Sequence, residues 1–376
     1  MNNISLIILA SGFSRRFVSN KLLYEFHGKK LIEYAFDKAS AFLDVIVVTQ
    51  YEKIKEMAET LGYRVVMNDH PEYGQGHSIA LGVGACQNNA CILMVADMPY
   101  LKLDTLKEMV AVHSEISLSA IGISCGGPLD SENGLILCPP NLPDWDRIDV
   151  VTPFKENFGV PCSVQNDANA CALAEWIWGA GKGMKNLIFL TFGTGLGAGM
   201  ILNGKLYSGT NDMAGEVGHV RLAKTGPEGY GKKGSFEGFC SGGGIARYGI
   251  PKIHEWIAQG KQTAILNRGQ KIEEVTTQDI GLSAQTGDEL ALAILQDTGK
   301  MLGRGIAMLM DIINPQRIII GSVFLRQEEI MRAPMEEVIA KEALSYTRKV
   351  CQVVPAGLGE QLGDYAALSV AGNLLQ

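Results

Sequence analysis

Charge, long apolar runs and a leader-like segment are all scarce in this chain of 376 residues. Charged residues make up 19% of it, and 40 acidic against 33 basic residues leave a net charge of −7. That balance argues against a general nucleic-acid or anionic-membrane binder, although one local patch for nucleic acid stays compatible with it. The apolar run after Met1 is too short to span a membrane, and no basic stretch precedes it as in a signal peptide. We therefore expect a cytoplasmic protein without a membrane or nucleic-acid partner.

Closely spaced cysteine pairs are also missing. The 8 cysteines are scattered through apolar segments, which is typical of buried free thiols in a reducing compartment. What the chain has in abundance is glycine, with 44 residues, beside 47% hydrophobic residues. This composition indicates a turn-rich α/β protein long enough for two domains with sizeable cores.

The stretch from Val164 to Gly199 carries the first chemical pattern. An apolar strand ends at Asn166-Asp167, a helix follows at 170–179, and a second strand at 186–190 opens into the glycine-rich turn TFGTGLGAG at 191–199. Glycine admits backbone N–H groups close to a phosphate because it has no Cβ and tolerates positive φ. A carboxylate followed by a phosphate cradle favours phosphoryl transfer to a hydroxyl, with Asp167 as the base. The alternative role for Asp167 is that of a helix N-cap.

The first third of the chain alternates between predicted strands and helices. The apolar strand at 4–10 runs into a turn with Gly12, Ser14 and Arg16, and Lys21 follows shortly afterwards. Such a turn can hold the phosphates of a nucleotide, or it can be an ordinary strand-to-helix turn with solvated arginines. Alternation predicts a parallel sheet, and Asp97 follows a later strand at the edge where ligands of such sheets bind.

These residues resemble the MobA-like nucleotidyltransferases, including the molybdenum-cofactor cytidylyltransferase type, over residues 1–113. The LAxGxSxR…K signature of that family is met by Leu9, Ala10, Gly12, Ser14, Arg16 and Lys21. The resemblance implies CTP or GTP at Gly12, Ser14, Arg16, Lys21 and Ser78, with Mg²⁺ on Asp97. Val18 and Lys30 depart from the family pattern. Nothing after Glu115 resembles the second half of the family, so the resemblance stops in the middle of its fold.

Residues 117–376 resemble the ROK family of sugar kinases and sugar-responsive repressors. The matching segments include IGISCGGPLD (121–130), PPNLPDW (139–145), NDANACALAE (166–175), TFGTGLGAG (191–199), AGEVGH (214–219), FEGFCSGGGIA (236–246) and INPQRIIIGSVF (313–324). The resemblance implies that Asp167 is the base and that a hexose or amino sugar is held by Asn141, Asn166, Glu216, His219 and Glu237. It also implies ATP with Mg²⁺, the nucleotide at Thr194, Gly195, Gly197 and Gly321. His219 has a structural alternative, as a hydrogen-bonding residue without a ligand.

Two departures separate this chain from the kinases of that family. Their opening strand and D-x-G-G-T phosphate turn have no counterpart before Leu118, and Asp279-Ile280-Gly281 is better explained as a loop or helix start. Many members also hold zinc with a histidine and three cysteines. Here the cysteine positions are Glu228, Tyr230 and Ser235, so we predict no zinc.

The sequence thus predicts an α/β protein of two joined parts. Residues 1–115 should form a Rossmann-like parallel-sheet half-domain of nucleotidyltransferase type. Residues 116–376 should form an actin-like ATPase, or ribonuclease H-like, fold of ROK type without its first strands. The leading hypothesis is an ATP-dependent sugar kinase; the alternatives are a MobA-like nucleotidyltransferase and an inactive, sugar-binding fusion. The N-terminus shows no helix-turn-helix, so repression is not expected. A sugar and a nucleotide are the expected partners, and a homodimer is compatible with the sequence.

Overall fold

The computed structural model describes residues 4–13, 20–88, 90–115, 118–140, 142 and 144–375. The chain divides into two compact units, Met1–Ser117 and Leu118–Gln376. None of the helices in these described ranges combines the length and apolar character that crossing a membrane needs. Of the cysteines, Cys162, Cys240 and Cys351 are buried as expected, whereas Cys91 and Cys138 are exposed.

The N-terminal unit contains a parallel sheet with helices in the connections. Its strands are β1 (Ser5–Ala10), β2 (Glu25–Phe26), β3 (Lys29–Lys30), β4 (Asp44–Thr49), β5 (Arg64–Met67) and β6 (Cys91–Val95). Its helices are α1 (Leu31–Ala39), α2 (Glu52–Thr60), α3 (Gly74–Gly84) and α4 (Leu103–Glu115). The sheet has the strand order β5-β4-β1-β6 with every pair parallel. The predicted alternation of strands and helices is therefore correct in this unit.

Burial explains the strand pattern of this sheet. The central strands β1 and β4 are buried along their whole length, as their unbroken apolar sequences predict. Strand β6 lies at the edge and alternates, with Cys91, Leu93 and Val95 exposed. Helix α3 begins at Gly74, four residues before Ser78, although its first turn is made of glycine and polar residues that carry no apolar periodicity.

The C-terminal unit contains a five-stranded sheet, smaller sheets of two or three strands, and many helices. Its strands are β7 (Ile121–Cys125), β8 (Leu129–Asp130), β9 (Leu135–Leu137), β10 (Asp146–Asp149), β11 (Cys162–Asn166), β12 (Leu187–Phe192), β13 (Leu196–Leu202), β14 (Lys205–Leu206), β15 (Glu228–Gly229), β16 (Lys232–Lys233), β17 (Arg317–Ile320) and β18 (Gln352–Pro355). Its helices are α5 (Thr152–Phe158), α6 (Asp167–Ile177), α7 (Phe236–Phe239), α8 (Gly242–Ala258), α9 (Thr277–Gln285), α10 (Glu289–Ile313), α11 (Val323–Glu342), α12 (Ser345–Val350) and α13 (Leu362–Asn373).

A five-stranded sheet of order β14-β13-β12-β17-β18 forms the centre of this unit. Strands β12, β17 and β18 are parallel, and β13 and β14 run antiparallel to their neighbours. Helix α10, in which buried Leu, Ile, Met and Ala residues recur at helical spacing, packs closely on α11. A Cβ on Gly299 or Gly303 would lie 2.6 or 2.5 Å from the carbonyl oxygen of Met331 or Met335, so these two glycines permit the close approach.

A smaller parallel sheet of β7 and β11 lies beside α6 and α13. Within the described residues this sheet has two strands, in line with the prediction that the first strands of the ROK fold are missing. The segment Asp279-Ile280-Gly281 lies in the first half of α9, where Thr276 and Asp279 form a capping box. The interpretation as a helix start is therefore confirmed.

Candidate functional site

The first turn of α6 presents Asp167 at the end of a strand. Asn166 is the N-cap, because its Oδ1 accepts a hydrogen bond from the Ala168 N–H at 2.9 Å. Asp167 is the first residue of the helix, and its own Oδ1 accepts from the same N–H at 2.8 Å. The N-cap of this helix is therefore Asn166, and not Asp167 as the alternative interpretation of the sequence allowed. The carboxylate of Asp167 remains at the positive end of the helix, open to a ligand.

Asp167 is solvent-accessible and yet closely surrounded by the walls of a cleft. This burial raises the pKa of the Asp167 carboxyl, although hydrogen bonds from the backbone N–H groups at 168 and 167 act in the opposite direction. A raised pKa makes the carboxylate a better proton acceptor. The residue therefore combines access with basicity.

The glycine-rich segment is a β-hairpin rather than a loop with unusual backbone angles. Strands β12 and β13 pair antiparallel, and only 193–195 form the turn. The four glycines of this described segment, at 193, 195, 197 and 199, do not have positive φ, so the lack of a Cβ is the property of glycine that matters here. Gly199 is needed for close packing instead: a Cβ there would lie 2.2 Å from the carbonyl oxygen of Ala168.

This contact brings the turn and the carboxylate together. Asp167 and the turn at 193–195 line one cavity of about 430 Å³. Eight predicted residues line it: Asn166, Asp167, Thr194, Gly195, Gly197, Glu216, His219 and Glu237. Gly126, Gly127 and Pro128, in the turn between β7 and β8, also line it.

One predicted residue, Gly321, does not line this cavity. Gly321 follows β17, and its N–H donates to the Leu190 carbonyl oxygen at 3.1 Å. The Oγ of its neighbour Ser322 lies 3.8 Å from where a Cβ on Gly193 would stand, so this strand end reaches the glycine turn. Asn141 lies outside the described residues.

Of the carboxylates that line the cavity, three were predicted from the sequence: Asp167, Glu216 and Glu237. Burial raises the pKa of Glu216, the negative charges of Glu237 and Asp167 raise it further, and His219 opposes the shift. An oxygen of Glu237 accepts from the Leu196 N–H at 3.2 Å, which ties it to the start of β13. Carboxylates accept several hydrogen bonds each, and this cluster therefore suits a ligand rich in hydroxyl groups.

Gly215 connects this carboxylate cluster to the hairpin. It has a φ of +96°, and a Cβ there would lie 1.9 Å from the Ala198 carbonyl oxygen. Its own carbonyl oxygen accepts from the Ala198 N–H at 2.8 Å. Only glycine satisfies both the backbone angle and the approach.

We expect Gly215→Ala to lower the free energy of unfolding of the C-terminal unit by about 3 kcal/mol, because strain and a clash act together. Gly204→Ala is the matched control, since Gly204 has a φ of +73° but no atom within 4 Å of an added Cβ. That control should cost about 1 kcal/mol. Urea unfolding followed by tryptophan fluorescence measures both, because the 4 tryptophans all lie in this unit. Equal losses in the two variants would contradict the clash.

The N-terminus of α8 completes the surroundings of the turn. Ser241 is its N-cap, and the Gly242 N–H donates to the Gly193 carbonyl oxygen at 2.7 Å. The segment Ser241–Gly244 is therefore a helix start that abuts the glycine turn. Helix N-termini favour anions, which suits this place beside a phosphate.

Sequence reasoning missed Asp212 and Tyr230, which also line the cavity. The Asp212 carboxylate accepts from the Ser131 N–H at 2.7 Å and from its hydroxyl at 2.9 Å, so it holds the loop after β8. Both missed residues have positive φ. The turn-forming sequences GTND and GYGK were the available signals for both.

A second cavity, of about 230 Å³, lies in the N-terminal unit. It is lined by residues that include Gly12, Lys21, Ser78 and Asp97. The Lys21 ammonium forms an ion pair with the Asp97 carboxylate, and the Ser78 hydroxyl accepts from the Asn68 side chain at 3.0 Å. Ser14 and Arg16 lie outside the described residues.

Of the two metals that the resemblances bring into question, Mg²⁺ fits the residues present and zinc does not. Mg²⁺ commonly takes one or two protein carboxylates and completes its shell with phosphates and water, so Asp97 suits it. Zinc sites need thiolate or imidazole ligands, and Glu228, Tyr230 and Ser235 do not supply that set beside His219. Among the described residues, no three His, Cys, Asp or Glu side chains are grouped to hold a metal.

Comparison with known families agrees with this architecture. Residues 96–373 match the ROK family, and residues 6–126 match the MobA-like NTP transferase domain. The chain belongs to the ROK family and carries a MobA-like NTP transferase domain at its N-terminus. The two matched ranges overlap at 96–126.

The relatives include both enzymes and regulators. The glucokinase of Halalkalibacterium halodurans is 31% identical over 264 residues, which cover 69% of this chain and 78% of that protein. A ROK family glucokinase from Streptomyces griseus, in complex with glucose and AMPPNP, is 29% identical with a TM-score of 0.59, covering 72% of this chain and 87% of that one. A ROK family transcriptional regulator, a homolog of the E. coli MLC protein, is 26% identical with a TM-score of 0.61, covering 71% of this chain and 66% of that one.

These similarities confirm the predicted family and fold class, including the actin-like ATPase fold of the C-terminal unit. Because the relatives include glucokinases and a regulator, membership of the family covers both sugar phosphorylation and sugar-dependent regulation. The absence of nucleic acid among the partners, the absence of zinc, a homodimeric state and a cytoplasmic location stay predictions.

Proposed function

We propose that residues 118–376 form a ROK-type carbohydrate kinase that transfers a phosphoryl group from ATP to a hydroxyl of a hexose or amino sugar. One observation carries the proposal: Asp167 and the turn at 193–195 line the same cavity of about 430 Å³. A base and a phosphate-binding turn in one cavity are the two groups that this transfer requires.

The remaining side chains have complementary parts in this proposal. Asn166, Glu216, His219 and Glu237 hold the sugar hydroxyls, and Asp167 takes the proton of the attacking hydroxyl. Thr194 and Gly195 present backbone N–H groups to phosphate, Gly197 lines the same wall of the cavity and has no side chain to block the ligand, and Gly321 lies toward the nucleoside. ATP with Mg²⁺ supplies the phosphoryl group.

Calorimetry and turnover of the full chain test the proposal. We expect glucose, the sugar held by the Streptomyces griseus relative, to bind with a Kd between about 1 μM and 1 mM, as is usual for enzyme substrates. ADP release should then depend on both ATP and the sugar. A folded sample that binds no hexose or amino sugar from a panel would contradict the proposal.

Sugar binding without turnover is the alternative outcome. The sequence has no D-x-G-G-T turn before Leu118, so the phosphates lose one of the two turns that hold them in family kinases. A sample that binds glucose but releases no ADP would indicate a sugar-binding or inactive fusion protein.

A nucleotide-binding role is the second candidate function and belongs to the N-terminal unit. The observation that favours it is the cavity lined by Gly12, Lys21 and Asp97. In this proposal Lys21 leaves Asp97 and pairs with the phosphates, while Asp97 takes a Mg²⁺ ion, as in a CTP- or GTP-dependent nucleotidyltransferase of molybdenum-cofactor type.

We expect Asp97→Ala to weaken Mg²⁺-dependent binding of CTP or GTP by about tenfold or more, because one charged metal ligand is lost. Asp104→Ala is the control, since Asp104 is exposed on α4 and pairs only with Lys107 among the described residues. Calorimetric titration of the full chain measures both variants. Binding that is unchanged in Asp97→Ala would argue against the role.

A further inference from the structure

The segment that would bind zinc in many ROK proteins is a small hairpin in this chain. Strands β15 and β16 pair antiparallel, with Glu228 opposite Lys233 and Gly229 opposite Lys232. The two turn residues, Tyr230 and Gly231, have φ values of +46° and +71°. Positive φ at both positions is the mark of a type I′ turn, which gives a hairpin its natural twist.

Backbone and side-chain hydrogen bonds hold this hairpin in place. The Ser235 hydroxyl caps α7 by accepting from the Gly238 N–H at 3.1 Å, and it donates to the Gly229 carbonyl oxygen at 3.3 Å. The guanidinium of Arg247 donates to the Glu228 carbonyl oxygen at 2.9 Å. The three residues at the cysteine positions thus take part in a turn, a cap and a strand, and none of these roles needs a metal.

Lys232 connects the hairpin to the histidine of the cavity. Its ammonium donates to the His219 carbonyl oxygen at 2.8 Å and lies 3.3 Å from Nδ1 of the same residue. The carbonyl oxygen ends a short 3₁₀ helix at 217–219. A lysine ammonium carries three donors and can serve both acceptors at once.

This contact determines which imidazole nitrogen carries the proton. An ammonium has no lone pair, so Nδ1 must be the acceptor and the proton of the neutral ring must be on Nε2. Within the part of the chain that the structure describes, Nε2 has no hydrogen-bond partner, and His219 lines the cavity. The Tyr230 ring contacts the imidazole edge-to-face, with centroids 6.1 Å apart, and limits its rotation.

We propose that Lys232 is a positioning residue that orients His219 in place of the zinc ion that many ROK proteins hold. It holds His219 as the Nε2–H tautomer, so that the ring presents a hydrogen-bond donor to a sugar hydroxyl without any metal. This inference rests on the proposed sugar site. The carboxylates of Glu216, Glu237 and Asp167 can only accept hydrogen bonds when ionised, whereas His219 would donate one. A sugar hydroxyl at this place would therefore have its oxygen turned toward Nε2 of His219.

The experiment compares four variants of the full chain. Lys232→Met removes the ammonium, Lys232→Gln is a second neutral variant, and Lys232→Arg restores a charged donor. Lys233→Met is the matched control, because adjacent strand residues point to opposite faces and Lys233 is exposed. Thermal unfolding of each variant establishes that it is folded.

The first measurement is the tautomer of His219, from the ¹⁵N chemical shifts of the ligand-free, histidine-labelled protein, with His219→Gln to assign the signal. We expect the Nε2–H tautomer in the wild type, in Lys232→Arg and in Lys233→Met. Lys232→Met and Lys232→Gln should show a mixture of both tautomers. An unchanged tautomer in these two neutral variants would overturn the proposal.

The second measurement is the affinity for glucose with and without a chelator. We expect a loss of about five- to tenfold in Lys232→Met, the equivalent of one hydrogen bond. The wild type should hold no stoichiometric zinc and should be unaffected by the chelator. Stoichiometric zinc, with a chelator-dependent His219 signal, would also overturn the proposal. A wild type that binds no sugar would contradict the proposed function, while the tautomer measurement would still decide the role of Lys232.

Discussion

Asp167→Asn is expected to lower kcat for ATP-dependent hexose phosphorylation by about 10²–10⁴-fold. The amide keeps the size and one acceptor of the carboxylate, but it cannot take the proton of the attacking hydroxyl. The Kd of the sugar should therefore change by less than about fivefold, since one hydrogen bond at most is altered. A coupled ADP assay gives kcat, and calorimetry gives the Kd.

Asp364→Asn is the matched control for this variant. Asp364 is also an aspartate in the first turn of a helix, is exposed, and does not line the cavity. Its kcat should equal that of the wild type. A kcat in Asp167→Asn within about threefold of the wild type would exclude Asp167 as the base, because general bases contribute at least about 10²-fold.

The pH profile provides a further check on Asp167. Its pKa is raised by burial, and the carboxylate is active only when ionised. As pH falls, kcat/KM should therefore decline at a higher pH than an unperturbed aspartate, with a pKa of about 3.9, would produce. The acidic limb should disappear in Asp167→Asn.

Glu175→Ala is expected to lower the free energy of unfolding of the C-terminal unit by about 3–5 kcal/mol. Glu175 is fully buried in α6, and its carboxylate accepts three backbone N–H groups. These belong to Ala180 at 2.7 Å, Gly357 at 3.1 Å and Leu358 at 2.9 Å. Alanine would remove the acceptor of all three N–H groups, whose hydrogen bonds are partly buried, and would open a cavity at the buried position of the carboxylate.

Two further variants separate this effect from a general cost of mutation. Glu175→Gln keeps one acceptor oxygen and should lose about half as much free energy. Glu255→Ala, on the exposed surface of α8, should change it by less than about 0.5 kcal/mol. Urea unfolding followed by tryptophan fluorescence compares the three. A loss of below about 1 kcal/mol in Glu175→Ala would show that this carboxylate does not anchor α6.

The sequence predicts that Asp167 and the glycine-rich turn belong to one site, but it does not reveal the contact that holds them together. Periodicity and glycine content place Asp167 and the turn at 193–195 at the ends of two strands that follow each other in the sequence, and ligand groups collect at strand ends. The reason for Gly199 was not readable from sequence, because it depends on the approach of Ala168, 31 positions earlier in the chain. Local conformational preference explains the turn at Tyr230-Gly231, whereas it does not explain why position 199 must be a glycine.

The contacts of Lys232 and Asp212 illustrate the same limit. Each residue reads in the sequence as an ordinary charged residue near a glycine turn. Their partners, His219 and Ser131, are 13 and 81 positions away along the chain. Tertiary structure alone brings them together, whereas helices such as α10 follow from apolar spacing within a single segment.

The contact between Gly199 and Ala168 also has a mechanical consequence. Because β13 rests directly on the first turn of α6, the carboxylate of Asp167 and the bend at 193–195 would travel as a single rigid body during any opening or closing. The loop after β8, which Asp212 holds through Ser131, takes no part in this contact, so a change in that loop would leave the spacing between these two groups unaltered. The alignment of Asp167 with the turn at 193–195 would therefore not depend on how a ligand enters the cavity.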